Sequence, residues 1–319
     1  MTSTSTSTSS SVITITLNPA WDKTVTVDEF VFGGLNRIQD IRTDAGGKGI
    51  NVAKVLKKFQ LDVTAWGLNG GFQGHVIQEK LKSMGIRTDF LEANGETRTN
   101  LKIIEQKSKQ TTELNESGFS ADHALLDRFI VRYQEHVGEA SIVVLGGSLP
   151  PGTPKDYYKT LIEIGRAKGI PTVLDADGEA LKHGIEAVPY AVKPNIHELE
   201  LLFGRTFSTD EQIVSAAREL IAKGIQYVNV SMGGKGSILV HESGAIRAKP
   251  FPITPLSTVG AGDSMVAAMV YCILHHKPLE ETARWCSAAG TITASKPGTE
   301  VCSLEEVLAK LELVQITRI

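Results

Sequence analysis

Between Ser257 and Ser264 the chain reads Ser-Thr-Val-Gly-Ala-Gly-Asp-Ser. Gly260, Ala261 and Gly262 carry almost no side chain, Asp263 follows them, and an apolar, helix-like run extends from Met265 to Leu274. A helix start leaves its first N–H groups without intrahelical partners, and the helix dipole adds positive potential there. Bare backbone lets an anion come close to those groups. A carboxylate beside such a site repels a phosphate, which is costly unless it has a task. The useful task is to accept the proton of a hydroxyl that attacks the phosphate. Aspartate is also a favoured helix cap, so the stretch alone leaves capping and catalysis both open.

Other polar stations sit at turns. Gly46-Gly47-Lys48-Gly49-Ile50-Asn51 opens a helix, with close approach at the glycines, a cation at Lys48, and an amide at Asn51 that donates and accepts. It is not a Walker A loop, because Gly49 follows Lys48 where Ser or Thr is required. In Arg98-Thr99-Asn100-Leu101-Lys102, strand alternation puts Arg98, Asn100 and Lys102 on one face, a layout suited to a phosphate or to a solvated edge strand. Lys193-Pro194-Asn195-Ile196-His197-Glu198 has capping-box spacing, and Glu198 could also face a hydrated magnesium ion. Ser231 to Gly236 is a glycine-rich turn after a strand, either a plain turn or a cradle for phosphates or ribose. Gly-Ala-Gly-Asp-Ser-Met lacks the last glycine of a dinucleotide fingerprint. Pro150 stands where a nucleophile elbow after Gly146-Gly147-Ser148 would need glycine.

The elements that must position these groups alternate. Strands are expected at Val12–Leu17, Val63–Leu68, Ile142–Leu145, Thr172–Asp175, Tyr190–Lys193 and Tyr227–Val230, separated by helical patterns. That order predicts a largely parallel sheet covered by helices on both faces. Asp22 is expected at the end of the first strand, where α/β folds place ligand groups. Two excursions of β character, at about 22–45 and 88–118, do not fit the sandwich and read as one small lid. The 319 residues, 41% hydrophobic and 22% charged, suit a large soluble α/β domain. The formal net charge of −3 does not suggest a nucleic-acid or anionic-membrane partner. Three cysteines without Cys-x-x-Cys spacing favour neither a disulfide framework nor a zinc site, and fit a reducing cytoplasm. Residues 1–11 form a Ser/Thr tract expected to be disordered, leaving 12–319 as the functional domain.

Taken together, Thr258–Ser264, Gly46–Ala53 and Asn195–Glu198 resemble the signatures of the phosphofructokinase-B, ribokinase-like sugar kinases. Leu17–Asp22, Thr97–Asn100 and Gly147–Pro150 are similar to the branch acting on phosphorylated ketohexoses. The resemblance implies a ribokinase-like three-layer α/β/α sandwich with a β lid, and a kinase using ATP and Mg2+. Fructose 1-phosphate is the implied acceptor, tagatose 6-phosphate the neighbouring one, and a non-catalytic sugar-phosphate sensor the reading from another class. It implies that Asp263 is the general base and that Gly260, Ala261 and Gly262 form the anion hole. Asp22, Gly46, Gly47, Asn51 and Asn100 would hold the sugar; Lys48, Arg98 and Lys102 its phosphate, with Ser148 alongside. Lys193, Asn195, Ser231, Gly233, Gly236, Val259 and Gly262 would bind ATP, and Glu198 would meet magnesium through water. A homodimer through the lid is a further expectation.

Overall fold

The computed structural model describes residues 11–319. The expected disorder of the Ser/Thr tract concerns residues outside that range, apart from Ser11, which begins the first strand. In chain order the elements are β1 (Ser11–Thr16), β2 (Ala20–Val27), β3 (Asp40–Gly46), α1 (Lys48–Lys58), β4 (Asp62–Asn69), α2 (Gly71–Ser83), β5 (Arg87–Glu92), β6 (Arg98–Glu105) and β7 (Thr111–Asn115). Next come α3 (His123–His136), β8 (Ile142–Gly146), α4 (Tyr157–Ala167), β9 (Thr172–Asp175), α5 (Gly178–Glu186), β10 (Ala191–Val192), α6 (Ile196–Phe203) and α7 (Asp210–Ala222). The chain ends with β11 (Tyr227–Ser231), β12 (Ser237–His241), β13 (Gly244–Lys249), α8 (Ala261–Leu274), α9 (Leu279–Ala294), α10 (Leu304–Lys310) and β14 (Gln315–Arg318).

Ten strands form one sheet in the order β14-β13-β12-β11-β10-β9-β8-β1-β4-β5. From β5 to β11 every pairing is parallel, and β12, β13 and β14 close one edge antiparallel. β1 shows why the sheet lies between two helical layers. Val12 packs into the core under α1, α8 and α9, whereas Ile13 and Ile15 face the core under α3, α4, α5 and α7. Such alternation of branched apolar residues is what a strand covered on both faces requires. The strand order reverses at β1: the chain runs from β1 outward to β4 and β5, then returns to β8 on the other side. A crevice beyond the carboxyl ends of β1 and β8 follows from that reversal.

A second, four-stranded sheet, β3-β2-β6-β7, stands apart from the sandwich. Two expectations need correction. Asp22 is not at the end of a core strand but is the third residue of β2, inside the smaller sheet. Its chain leaves the core at Asn18-Pro19, where proline cannot continue a ladder. The excursion drawn from 88 begins too early, since β5 pairs with β4 and completes the main sheet. The smaller sheet takes only β6 and β7 from that region. Helices α3 and α5 and strand β14 were not anticipated. α3 is amphipathic, with Leu125, Leu126, Phe129 and Tyr133 buried and Asp122 capping Leu125 N–H. α5 has only nine residues, and β14 gains strand character from pairing with β13.

Helix α1 is seated directly on β1. A Cβ at Gly49 would stand 2.6 Å from the Ile15 carbonyl and 2.5 Å from Thr16 Oγ1. Replacing Gly49 by alanine should push the helix off its strand and lower stability by about 1–3 kcal/mol. Denaturant unfolding checks this; an unchanged midpoint would mean that the contact does not constrain α1.

Candidate active site

The cleft beyond β1 and β8 has a volume of about 480 Å3. Strand ends of the main sheet supply its floor: Asn18 after β1, Gly147 and Ser148 after β8, Asp175 at the end of β9, Lys193 after β10, and Ser231 at the end of β11. The starts of α1, α6 and α8 bring Lys48, Asn51, Asn195, Glu198, Gly260, Gly262 and Asp263 to it. The smaller sheet adds Asp22, Arg98, Asn100, Lys102, Glu113 and Asn115. Register explains that last set. Asp22 pairs with Asn100 and Asn100 with Asn115, while Lys102 pairs with Glu113, so one face carries two rows of polar side chains.

The turn into α8 is built for an anion. Gly260 caps the helix in the left-handed conformation, φ 76°, which favours glycine. The Ala261 amide donates to the Thr258 carbonyl, and the Ser264 amide donates to that of Gly260. The amides of Gly262 and Asp263 have no hydrogen-bond partner among the described residues. A side chain at Gly262 would approach Lys193 Nζ to 3.3 Å, so the glycine also keeps that ammonium close to the helix start.

Asp263 is buried, and Asn51 Nδ2 donates to its Oδ2 at 2.8 Å. Burial and the nearby Asp175 charge push its carboxyl up to about 6, against the Asn51 hydrogen bond and the charges of Lys48 and Lys193. Asp175 is 1% exposed. Lys48 Nζ donates to its Oδ1 at 2.9 Å, and Lys193 Nζ lies 3.5 Å from the same oxygen. Burial would raise the Asp175 carboxyl, but Lys193 and Lys48 outweigh it and hold it below the usual carboxylate range. Burial works against the charge of Lys48 too, yet Asp175 and Glu198 hold that ammonium firmly protonated. The two neighbouring carboxylates are thus driven apart: one stays an anion, the other titrates near neutral pH.

On the smaller sheet, Asn100 Nδ2 donates to Asp22 Oδ1 at 3.0 Å. Burial raises the Asp22 carboxyl despite Lys102, Asn100, Lys54 and Arg98. Arg98 donates to the Asn18 carbonyl at 3.1 Å and to Ser148 Oγ at 3.4 Å. Its buried Nε has no partner, and neither do Asn18 Oδ1, Asn100 Oδ1 and Asp175 Oδ2. Such orphaned groups are costly unless a ligand satisfies them. All four are sealed from solvent, so a ligand would reach them only after these side chains turn toward the cleft.

Of the residues expected at the site, Asp22, Gly47, Lys48, Asn51, Arg98, Asn100, Lys102, Ser148, Lys193, Asn195, Glu198, Ser231, Val259, Gly260, Gly262 and Asp263 line this one cleft. Four do not. Gly46 ends β3 and makes room for Asp22, whose Oδ2 lies 2.2 Å from where a Cβ would stand. Ala261 engages its amide with Thr258, leaving Gly262 and Asp263 as the free donors of the turn. Gly233 and Gly236 belong to the turn after β11, outside the cleft lining. Lys48 also departs from its expected company. Its ammonium goes to the buried Asp175, with Glu198 Oε1 at 4.0 Å, rather than joining Arg98 and Lys102. Sequence reading missed Asn18, Glu113, Asn115 and, above all, Asp175. A strand ending in a charged residue, Thr-Val-Leu-Asp, was the available signal.

For a divalent metal, no group of three or more His, Cys, Asp or Glu ligands exists among the described residues. Asn195 and Glu198 form a capping box, in which Glu198 Oε2 accepts from the Asn195 amide at 2.8 Å. That leaves Oε1 facing the cleft beside Lys48. One free carboxylate oxygen fits a magnesium ion that takes its other ligands from water and phosphate, and not an all-protein cage.

The model of the pfkB family carbohydrate kinases matches residues 8–306. The chain is 35% identical over 303 residues to the 1-phosphofructokinase of Escherichia coli strain K12, covering 95% of this chain and 97% of that protein. It is 37% identical over 308 residues to the 1-phosphofructokinase of Bacillus subtilis strain 168, covering 96% and 99%. Among solved structures, phosphofructokinase-2 from Escherichia coli in complex with potassium superposes with a TM-score of 0.90 at 30% identity, over 95% of this chain and 99% of that one. A possible 1-phosphofructokinase from Thermotoga maritima gives 0.89 at 28% identity, over 97% and 99%. The sandwich, the smaller sheet and the cleft between them are therefore those of a ribokinase-like sugar-phosphate kinase, and the chain belongs to the pfkB family of carbohydrate kinases.

Proposed function

We propose that this chain transfers the γ-phosphoryl group of ATP to a free hydroxyl of a ketohexose phosphate, with D-fructose 1-phosphate as acceptor and D-fructose 1,6-bisphosphate as product. The observation that carries the reading is the convergence in one cleft of Asp22, Asn51 and Asn100, whose side chains can bond hydroxyls, with the cations Arg98 and Lys102 and the free amides of the α8 turn. A polyol bearing a phosphate supplies the complementary donors and the anion. The names of the relatives that span nearly the whole chain support the same acceptor.

In this reading Asp22, Asn51 and Asn100 hold the sugar, and Arg98, Lys102 and Ser148 hold its phosphate. Asp263 accepts the proton of the attacking hydroxyl. The Gly262 and Asp263 amides meet the negative charge that builds on the transferred group. Lys48 and Lys193, anchored on Asp175, face that charge from the other side. Asn195, Ser231 and Val259 lie along the nucleotide. Magnesium bound with ATP through Glu198 and water would neutralise the phosphate oxygens. The smaller sheet covers the sugar and limits water, which would otherwise compete as acceptor. Among the described residues no helix is long and apolar enough to cross a membrane; we place the enzyme in the cytoplasm. The loop between β2 and β3 exposes Phe32 and Leu35, beside the exposed Ile41 of β3, and we assign this apolar patch to a second copy of this chain.

A kinetic panel of fructose 1-phosphate, fructose 6-phosphate and tagatose 6-phosphate should give the highest kcat/KM with the first; no ADP release with any of them would end the reading. Asp263→Asn should lower kcat by about 10²–10⁴. The same variant should be more stable than the native chain at pH 7.5. The folded-state pKa of Asp263 is raised from 3.8 to about 6, so its contribution to stability is complete below about 4 and lost as pH rises through 6. The gap, on the order of 3 kcal/mol by that shift, should close in acid, as thermal melts at several pH values would show.

Asp175→Asn removes the anion that helps to raise Asp263, so the acid limb of the kcat profile should move to lower pH while kcat falls. An acid limb unmoved in that variant would contradict the pairing. Phe32→Asp should convert a dimer to a monomer in sedimentation analysis; a native chain that sediments as a monomer would refute the assigned face.

A further inference from the structure

Lys54 stands on α1, one turn beyond Asn51, and is 4% exposed. A buried lysine is rare and costly unless it is paired. It does not line the cleft itself and lies one residue behind it. Its ammonium donates to the Ala45 carbonyl near the end of β3, and to Asn51 Oδ1 at 3.4 Å. That second contact has a consequence for Asp263. An amide side chain can present either its oxygen or its nitrogen to a neighbour. With Oδ1 turned to an ammonium, the Nδ2 of Asn51 must face Asp263, as it does at 2.8 Å. The reverse orientation would set a carbonyl oxygen against a carboxylate and leave the lysine facing an NH₂ group.

We propose that Lys54 is a positioning residue: it fixes the orientation of the Asn51 amide toward Asp263 and ties that orientation to the seating of β3, the strand through which the smaller sheet joins α1. The inference rests on the kinase reading only for the meaning of Asp263 in turnover; the geometry stands without it. One chain of contacts, Ala45 to Lys54 to Asn51 to Asp263, runs from the base of the smaller sheet to the carboxylate beneath it. A shift of β3 is then felt at Asp263 through one lysine. The charged groups around this chain come from several elements. Asp44 on β3, Asp22 on β2 and Asp263 on α8 favour the lysine's charge, and Lys80 on α2 opposes it. Burial outweighs them and lowers the Lys54 pKa from its usual value. Asp263 in turn faces Asp175 on β9, Lys48 on α1, and Lys193 after β10.

The test compares the native chain with Lys54→Met, Lys54→Gln and Lys54→Arg, in two readouts. The first is the Asp263 carboxyl titration by carbon-13 NMR of the protein without ligand, assigned with Asp263→Asn. The second is the pH profile of kcat with fructose 1-phosphate. Loss of the ammonium should raise the Asp263 midpoint by about one pH unit and lower kcat about tenfold on the acid side. KM should change less than kcat, and Lys54→Arg should restore both readouts. Lys54→Gln keeps a donor for the Ala45 carbonyl and gives the answer if Lys54→Met does not fold. A lowered melting temperature with an unmoved Asp263 midpoint would overturn the proposal and leave Lys54 a structural residue. A native chain without activity on any ketohexose phosphate would instead defeat the kinase reading, and the NMR titration would still judge the lysine.

Discussion

A carboxylate sealed between two ammonium groups sets the electrostatics of this molecule. Asp175 lies at the end of a core strand, 1% exposed, with Lys48 and Lys193 converging on one of its oxygens. Taking three charges out of water is expensive, and such clusters are weak devices for stability alone. Here the cluster holds two cations at the edge of a cleft, Lys193 buried and Lys48 partly open to solvent. It also places a fixed negative charge near Asp263, which raises the proton affinity of that carboxyl. Base strength and phosphate attraction thus share one origin.

Topology makes the cluster available. Parallel strands expose their carboxyl ends on one edge, and the reversal of strand order at β1 opens a crevice there. Helices α1 and α8 start at the same edge, where α8 leaves the Gly262 and Asp263 amides free. The smaller sheet then brings a polar face across the opening, with Asp22, Asn100 and Asn115 in register. Neither layer completes the site alone. The sandwich brings Lys48, Asp175, Lys193 and Asp263, and the second sheet brings Asp22, Arg98, Asn100 and Lys102.

What could be read from the sequence was what short stretches encode. The Gly-Ala-Gly-Asp turn, the Asn195–Glu198 capping box and the buried strands each declare themselves within a few residues. The alternation on β6 placed Arg98, Asn100 and Lys102 on one face, and they do line the cleft. Asp175 escaped because its partner Lys48 lies 127 residues away and no local pattern announces the pair. The same separation hides the partner of Lys48, whose ammonium donates to that buried anion. Asn18-Pro19 looks like the stop of a strand, which would leave Asp22 at a strand end. In fact it is also the entry to β2. Gly46 fits a ligand contact by its motif, but in the fold its small size makes room for the Asp22 carboxylate.

The account turns on one meeting point, where an acceptor hydroxyl, a phosphoryl group and the Asp263 carboxyl come together under the α8 amides. A crystal structure with ADP, aluminium fluoride, magnesium and fructose 1-phosphate tests that meeting directly. The predicted result is an acceptor oxygen roughly 2.6–3.2 Å from an Asp263 oxygen, with the fluoride oriented toward the Gly262 and Asp263 N–H groups. A ligand pair seated elsewhere, with Asp263 still bonded only to Asn51, would contradict it.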